Sequence, residues 1–353
     1  MYITDLETPA LVADRTIMQK NLDTMMRLIE GKKPKLRPHY KTHKTPQIAL
    51  WQLKNGAIGI TCSKLSEALD LADAGVNDIL IANQVVQPSK IAAMAQLAKR
   101  CKLTVCVDNA DNIRQISTAA QNAQTHIHCY VELNIGMDRC GVNTFEEFYE
   151  LAKLLEELPN VSYDGVQAYA GNLAHEYDRP NRENGTADNE ARVSALVAWL
   201  EERGIQSKEI SGASTGTAYL KAKSTIYTEI QAGSFIFMDM SYKRLGLNLF
   251  ENALHVACTV ISADERHFVI DAGVKSLCPD QDMPAIDGFT AETTKINEEH
   301  MIFYGPHNYK VGDMVKVIPG HCCSTVNLYD QIYFAEDGTI VDRFAVTSRG
   351  KSK

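Results

Sequence analysis

No run of about 18 consecutive apolar residues occurs in the sequence, so no segment is expected to cross a bilayer as a helix. Nor is there a long basic tract, and the net charge is −8, which argues against nucleic acid as a partner. The opening stretch MYITDLETPALVADR has two early acids and no basic head followed by an apolar core. No signal peptide is expected there. No Gly-x-Gly-x-x-Gly follows the first candidate strand, so a dinucleotide-binding reading lacks its phosphate signature. Low-complexity linkers and internal repeats are absent as well. The nine cysteines are odd in number and scattered, which fits reduced thiols in a cytoplasm better than a disulfide framework. Cys106, Cys129 and Cys258 sit in apolar runs and are expected as small core residues.

What is present is the composition of an ordinary globular chain. There are 353 residues, 45% apolar and 23% charged, enough for a large domain and a smaller one. From Leu36 to Phe237, short β-like runs alternate with helix-period stretches. The strands are expected at 36–40, 59–63, 78–83, 103–108, 126–133, 163–170, 209–214 and 229–237. Helical spacing appears at 64–74, 89–99, 144–158 and 189–203. Eight strands alternating with helices point to an α/β fold, a (β/α)8 barrel of the TIM type, with a doubly wound open sheet as the other option. After about Arg244 the pattern turns to strands and turns such as DAG, CPD, VGD and EDG, which reads as a C-terminal β domain. The expected boundaries are 10–245 for the barrel and 246–353, with 1–9, for the β domain.

Barrel enzymes carry their chemistry at the C-terminal ends of the strands. The first such end is RPHYKTHK, Arg37–Lys44. Two readings stand: a solvated basic turn, or a lysine that forms a Schiff base with its amine tuned by Arg37, His39 and His43. SGASTGT, Ser211–Thr217, follows a strand and precedes an apparent helix. It offers two glycines, three hydroxyls and a helix dipole to a phosphate. QAGSF places Gly233 and Ser234 at a similar height on the next strand. Together with a lysine on the first strand, these turns describe a pyridoxal 5′-phosphate site. In PGHCCSTVNLYD, His321 and Cys323 are two apart, so an extended segment would turn both to one face. They are either core and turn residues or a zinc pair completed by water or substrate.

In order along nearly the whole chain, LETPALVAD, RPHYKTHK, DNADN, GMDRCGV, GVQAYAGN, DAGVKS with EEHM, and GHCCSTVNLYD carry a resemblance. The chain resembles the D-serine dehydratase and D-threonine aldolase-like family of fold-type III pyridoxal phosphate enzymes, relatives of alanine racemase. The resemblance implies that Lys41 carries the cofactor, with His39 beside it. It implies Arg139 near the cofactor's phenolic oxygen, and Tyr169 and Gln167 lining it. Ser214, Thr215, Gly216 and Thr217 would hold the phosphate, with Gly233 and Ser234 closing the cup. His321 and Cys323 would be the metal pair.

His-x-Cys resembles the dehydratase branch, whereas the aldolase branch usually has His-x-Asp. A thiolate also favours zinc over magnesium or manganese. The expected activity is therefore a pyridoxal phosphate- and zinc-dependent dehydratase. It would act on D-serine, D-threonine or 3-hydroxy-D-aspartate and give a 2-oxo acid and ammonia. The alternatives are a D-threonine aldolase using Mn2+ or Mg2+, which gives glycine and an aldehyde, and a non-catalytic carrier of the cofactor. After QAYAG the chain reads NLAHEYDRP, where many relatives have a second histidine near the glycine; His175 remains. The resemblance also implies a homodimer with a composite active site.

Overall fold

The structure is a computed structural model covering residues 1–353. Two compact units divide the chain. One comprises Met26–Lys41, Pro46–Gly233 and Lys351–Lys353, and the other Met1–Met25, Thr42–Thr45 and Ser234–Gly350.

The chain opens with strand β1 (Ala10–Asp14) and helix α1 (Arg15–Ile29). Eight parallel strands follow: β2 (Lys35–Leu36), β3 (Ile60–Cys62), β4 (Asp78–Ile81), β5 (Lys102–Val107), β6 (Ile127–Glu132), β7 (Val161–Ala168), β8 (Glu209–Gly212) and β9 (Glu229–Ile230). Their order in the sheet is β2-β9-β8-β7-β6-β5-β4-β3. The two ends meet at a parallel bridge between His39 and Thr61, so the eight-stranded sheet curls round on itself. All eight expected strands exist, and the (β/α)8 expectation stands. Ile79–Ile81, Leu103–Val107 and Ile210–Gly212 are buried without a break, as strands covered on both faces must be.

The first strand is shorter than expected. Only Lys35–Leu36 pairs regularly, because Pro38 has no N–H to give the ladder. Arg37 N and His39 N still donate to Ile230 and Ala232 carbonyls at 2.9 and 3.3 Å, which carries the edge up to Lys41.

Helices α2 (Pro46–Lys54), α3 (Leu65–Asp73), α4 (Pro88–Leu97), α5 (Ala110–Ala123) and α6 (Phe145–Glu157) cover this sheet. They start where the sequence caps them. Asn109 Oδ1 accepts from Asp111 N and Asn112 N at the start of α5. Thr144 and Glu147 form a reciprocal capping box on α6. Helix α7 (Arg179–Glu201) begins ten residues before the expected 189, because Asp178 caps it and Pro180 occupies its first turn. Helix α8 (Ala218–Lys221) is a single turn.

The second unit contains helix α9 (Met240–Arg244) and strands β10 (Leu254–Ala263), β11 (His267–Ile270), β12 (Ala285–Ile286), β13 (Thr293–Ile296), β14 (Met301–Tyr304) and β15 (Met314–Ile318). Helix α10 (Cys322–Val326) and strands β16 (Gln331–Glu336) and β17 (Thr339–Ala345) complete it. Strand β1 belongs to this unit's sheet: it pairs antiparallel with β10 and parallel with β16. The sheet order is β13-β14-β11-β10-β1-β16-β17, with β15 joining β10 to β12.

Candidate active site and metal pair

The barrel unit gathers a polar pocket at the C-terminal ends of its strands. It is lined by His39, Lys41, Ser63, Ala82, Arg139, Gln167, Tyr169 and Gln231. Lys41 stands in a 3-10 turn, Tyr40–Thr42, immediately past the first strand. Its neighbour Tyr40 is fully buried and donates from its hydroxyl to Asp70 Oδ2 at 2.7 Å, which anchors that turn. Lys41 N donates to His39 Nδ1 at 3.3 Å, and His39 Nε2 lies 3.4 Å from Ser63 Oγ.

Tyr169 forms the floor. Lys41 Nζ is 6.0 Å and the Arg139 guanidinium carbon 5.4 Å from its ring centroid, so both cations face one aromatic surface. Arg139 is steered from behind. Its Nη2 lies 3.8 Å from Glu132 Oε1, and Gln84 Nε2 donates to the other Glu132 oxygen at 2.6 Å. Burial pushes the Glu132 carboxyl up, opposed by the Gln84 hydrogen bond and then by Arg139. On the far wall Gln231 Nε2 donates to Gln167 Oε1 and Ser211 Oγ, both at 2.7 Å. These amides are buried and fixed in orientation.

Arg37 and His43, two of the cations expected beside Lys41, have other partners. Arg37 is held by two carboxylates. Its Nε pairs with Glu229 at 2.7 Å and its Nη1 with Asp78 at 2.6 Å, so two carboxylates already neutralise its charge. His43 Nδ1 is occupied with the Thr45 backbone, 3.1 Å from its carbonyl oxygen. The helix after SGASTGT is also a weaker dipole than expected, since α8 has only four residues.

The turn itself is tightly bent and rich in hydroxyls. Ala213 has φ +67°, a left-handed conformation that a non-glycine residue adopts at a cost of about 1–2 kcal/mol. It turns the chain sharply off β8. Ser214 N donates to Thr217 Oγ1 at 3.1 Å and Thr217 N donates to Ser214 O at 3.2 Å, closing the loop. Ser214, Thr215 and Thr217 are buried, as are Gly216 and Gly233 in the same unit. A lysine, an aromatic floor, an arginine, fixed amides and a hydroxyl-rich turn fit pyridoxal phosphate chemically.

The other unit holds Ser234, His321 and Cys323. The segment 321–326 is not extended, contrary to expectation. His321 is the N-cap of α10, with φ −141° and ψ 117°, and Cys323 lies in the first turn. The two side chains meet because the backbone switches from extended to helical between them. His321 Nδ1 is 3.0 Å from each oxygen of Asp280. Cys323 Sγ lies 3.6 Å from Ser234 Oγ and 3.4 Å from Thr42 Oγ1. Burial works against a charged His321 ring, but Cys323 and Asp280 outweigh it and push its pKa up to about 9. No group of three or more His, Cys, Asp or Glu side chains forms a complete metal cage. An imidazole and a thiol fit an open site that needs water or substrate to fill it, and fall short of a closed structural one.

Gln231, Glu132 and Asp280 were not singled out by the sequence, whereas Ser63 stands at the C-terminal end of the strand expected at 59–63. Of those three, only Gln231 had a signal, its place beside Ala232-Gly233-Ser234 at the end of the last strand. Lys275, noted in DAGVKS, forms an exposed ion pair with Glu298 and Glu299 at 3.3 and 2.9 Å.

Residues 14–241 match the alanine racemase N-terminal domain and residues 253–335 a putative serine dehydratase domain. The chain is 40% identical to a D-threonine aldolase of Arthrobacter sp over 99% of this chain and 94% of that protein. A solved D-threonine aldolase from Filomicrobium marinum superposes with a TM-score of 0.96 at 33% identity, over 99% of this chain and 98% of that one. The D-threo-3-hydroxyaspartate dehydratase from Delftia sp. HT23 superposes with a TM-score of 0.87 at 26% identity, over 98% of both chains. That dehydratase has also been solved with a histidine replaced and with a cysteine two positions further on replaced, the cysteine variant in a metal-free form.

Proposed function

The chain belongs to the family that joins an alanine racemase-type N-terminal domain to a serine dehydratase-type domain, and we propose that this lyase acts on β-hydroxy-D-amino acids as a metal-dependent dehydratase. One observation carries the choice of reaction. The His321-x-Cys323 pair has the residue types and spacing of the two positions replaced in the Delftia dehydratase, one of whose variants is metal-free.

Lys41 Nζ is the group that would hold the cofactor and, once substrate displaces it, take the proton from the α-carbon. Pyridoxal phosphate, when bound, supplies a ring that takes up the electron pair left at that carbon. Tyr169 would stack below it and Arg139, aimed by Glu132, would face its oxygens. Ser214–Thr217 with Gly233 and Ser234 would bind its phosphate. His321 and Cys323 would hold a metal, zinc by the softness of thiolate, that supplies a Lewis acid for the departing β-hydroxyl. The products balance as a 2-oxo acid and ammonia. A homodimer belongs to the same reading and is checked by sedimentation.

A second reading, aldol cleavage to glycine and an aldehyde, is favoured by the 40% identity and the TM-score of 0.96 to D-threonine aldolases. D-threonine with zinc-loaded protein decides between them. Release of 2-oxobutyrate and ammonia supports the dehydratase; glycine and acetaldehyde overturn it.

A further inference from the structure

We propose that Asp280 is a positioning residue for the metal-binding imidazole, holding His321 in its Nδ1–H tautomer so that Nε2 is the ligating atom. The inference rests on the reading of His321 and Cys323 as a metal pair.

Both Asp280 oxygens lie 3.0 Å from His321 Nδ1. An ionised carboxylate only accepts hydrogen bonds, so Nδ1 keeps its proton and Nε2 is the nitrogen that can give up its own to a metal. Ser324 Oγ donates to Asp280 Oδ2 at 2.9 Å and lies 3.0 Å from Nδ1, which closes a triangle around that nitrogen. With Nδ1 occupied in this way, Nε2 is the ring nitrogen left to Cys323.

The backbone is built to deliver this carboxylate. A Cβ at Gly320, the residue before His321, would fall 1.7 Å from the Asp282 carbonyl oxygen and 3.0 Å from that of Cys278. Only glycine lets segment 278–282 cross so close, and that crossing brings Asp280 onto the ring. The peptide between the two ligands is held separately, since Cys322 N donates to the fully buried Asp239 at 2.8 Å. One carboxylate thus fixes the ring and another the chain. Freed of Asp280, the ring would sample both tautomers and rotate, and metal affinity would fall.

The test is a titration of Co(II) into chelator-stripped protein, read by the thiolate-to-cobalt absorbance. His321→Ala and Cys323→Ala should each lose the band; a wild-type band in both would overturn the metal-pair reading itself. Asp280→Ala should weaken Co(II) binding by about 10–100-fold, the usual effect of losing such a partner, and change the visible cobalt spectrum. Asp280→Asn still offers an acceptor to Nδ1–H and should recover most of the affinity. Asp280 is 45% exposed, so neither change threatens the fold. If Asp280→Ala titrates like wild type with an unchanged spectrum while His321→Ala has lost its band, the proposal fails and the metal pair stands. Equal loss in Asp280→Asn and Asp280→Ala would overturn the tautomer argument in favour of charge alone.

Discussion

Arg37 and Lys41 are four residues apart and do different work. Arg37 is buried inside the barrel between Glu229 and Asp78, where those carboxylates hold it charged despite burial. Removing one partner of such a pair strands the others, so Arg37→Met should cost about 3–5 kcal/mol in urea unfolding. Lys41→Ala should leave stability nearly unchanged and abolish the visible absorbance of the cofactor–lysine linkage; retained absorbance would move the linkage to another lysine. His255 gives a pH signature. It is buried in β10, and desolvation, with a smaller push from Lys316, lowers its pKa to about 3. The unfolded chain then binds one more proton than the folded one between about pH 3 and the free histidine value near 6.5. This contribution to stability is present above about pH 6.5 and is lost as pH falls toward 3. In His255→Asn, that part of the slope of unfolding free energy against pH should vanish. At this scale the sequence was informative where a residue type advertises chemistry, as for Lys41, Arg139, His321 and Cys323. Gln231 and Ser63 were marked only by their places at strand ends, because amides and hydroxyls occur everywhere, and Asp280 was hidden in a stretch read only as a turn.

Local capping decides several elements. The box on α6 has Thr144 Oγ1 accepting from Glu147 N at 3.1 Å, and Glu147 Oε2 accepting from Asn143 N and Thr144 N at 3.0 and 3.1 Å. Thr144→Ala should therefore destabilise the protein by about 1 kcal/mol, measured by chemical denaturation with m unchanged. All eight barrel strands were legible because runs such as DILIAN and LTVCVD are short, apolar and bounded by turn residues. The errors came where one residue changes the backbone. Pro38 shortened β2, Asp178 with Pro180 started α7 early, and the switch at His321 made a helix of a segment expected to be extended. Short strands such as β12 and half-exposed ones such as β13 carry too little apolar pattern to stand out.

The chain as a whole is threaded, and its sequence order hides this. β1 lies within the span 10–245 drawn for the barrel, yet it pairs with β10 and β16. Nothing in ALVAD names its partner, because pairing is a long-range choice that local pattern does not encode. Native-state hydrogen exchange should show Leu11–Ala13 amides protected together with those of β10; rapid exchange at Leu11–Ala13 would contradict the pairing. The same pairing sets a timetable during synthesis. β1 ends at residue 14 and β10 begins at 254, 240 positions later. At ~5–20 residues per second on the ribosome, β1 waits on the order of ten to fifty seconds before its first partner emerges. For that interval an apolar Ala-Leu-Val-Ala strand has no sheet to join and stays open to non-native contacts.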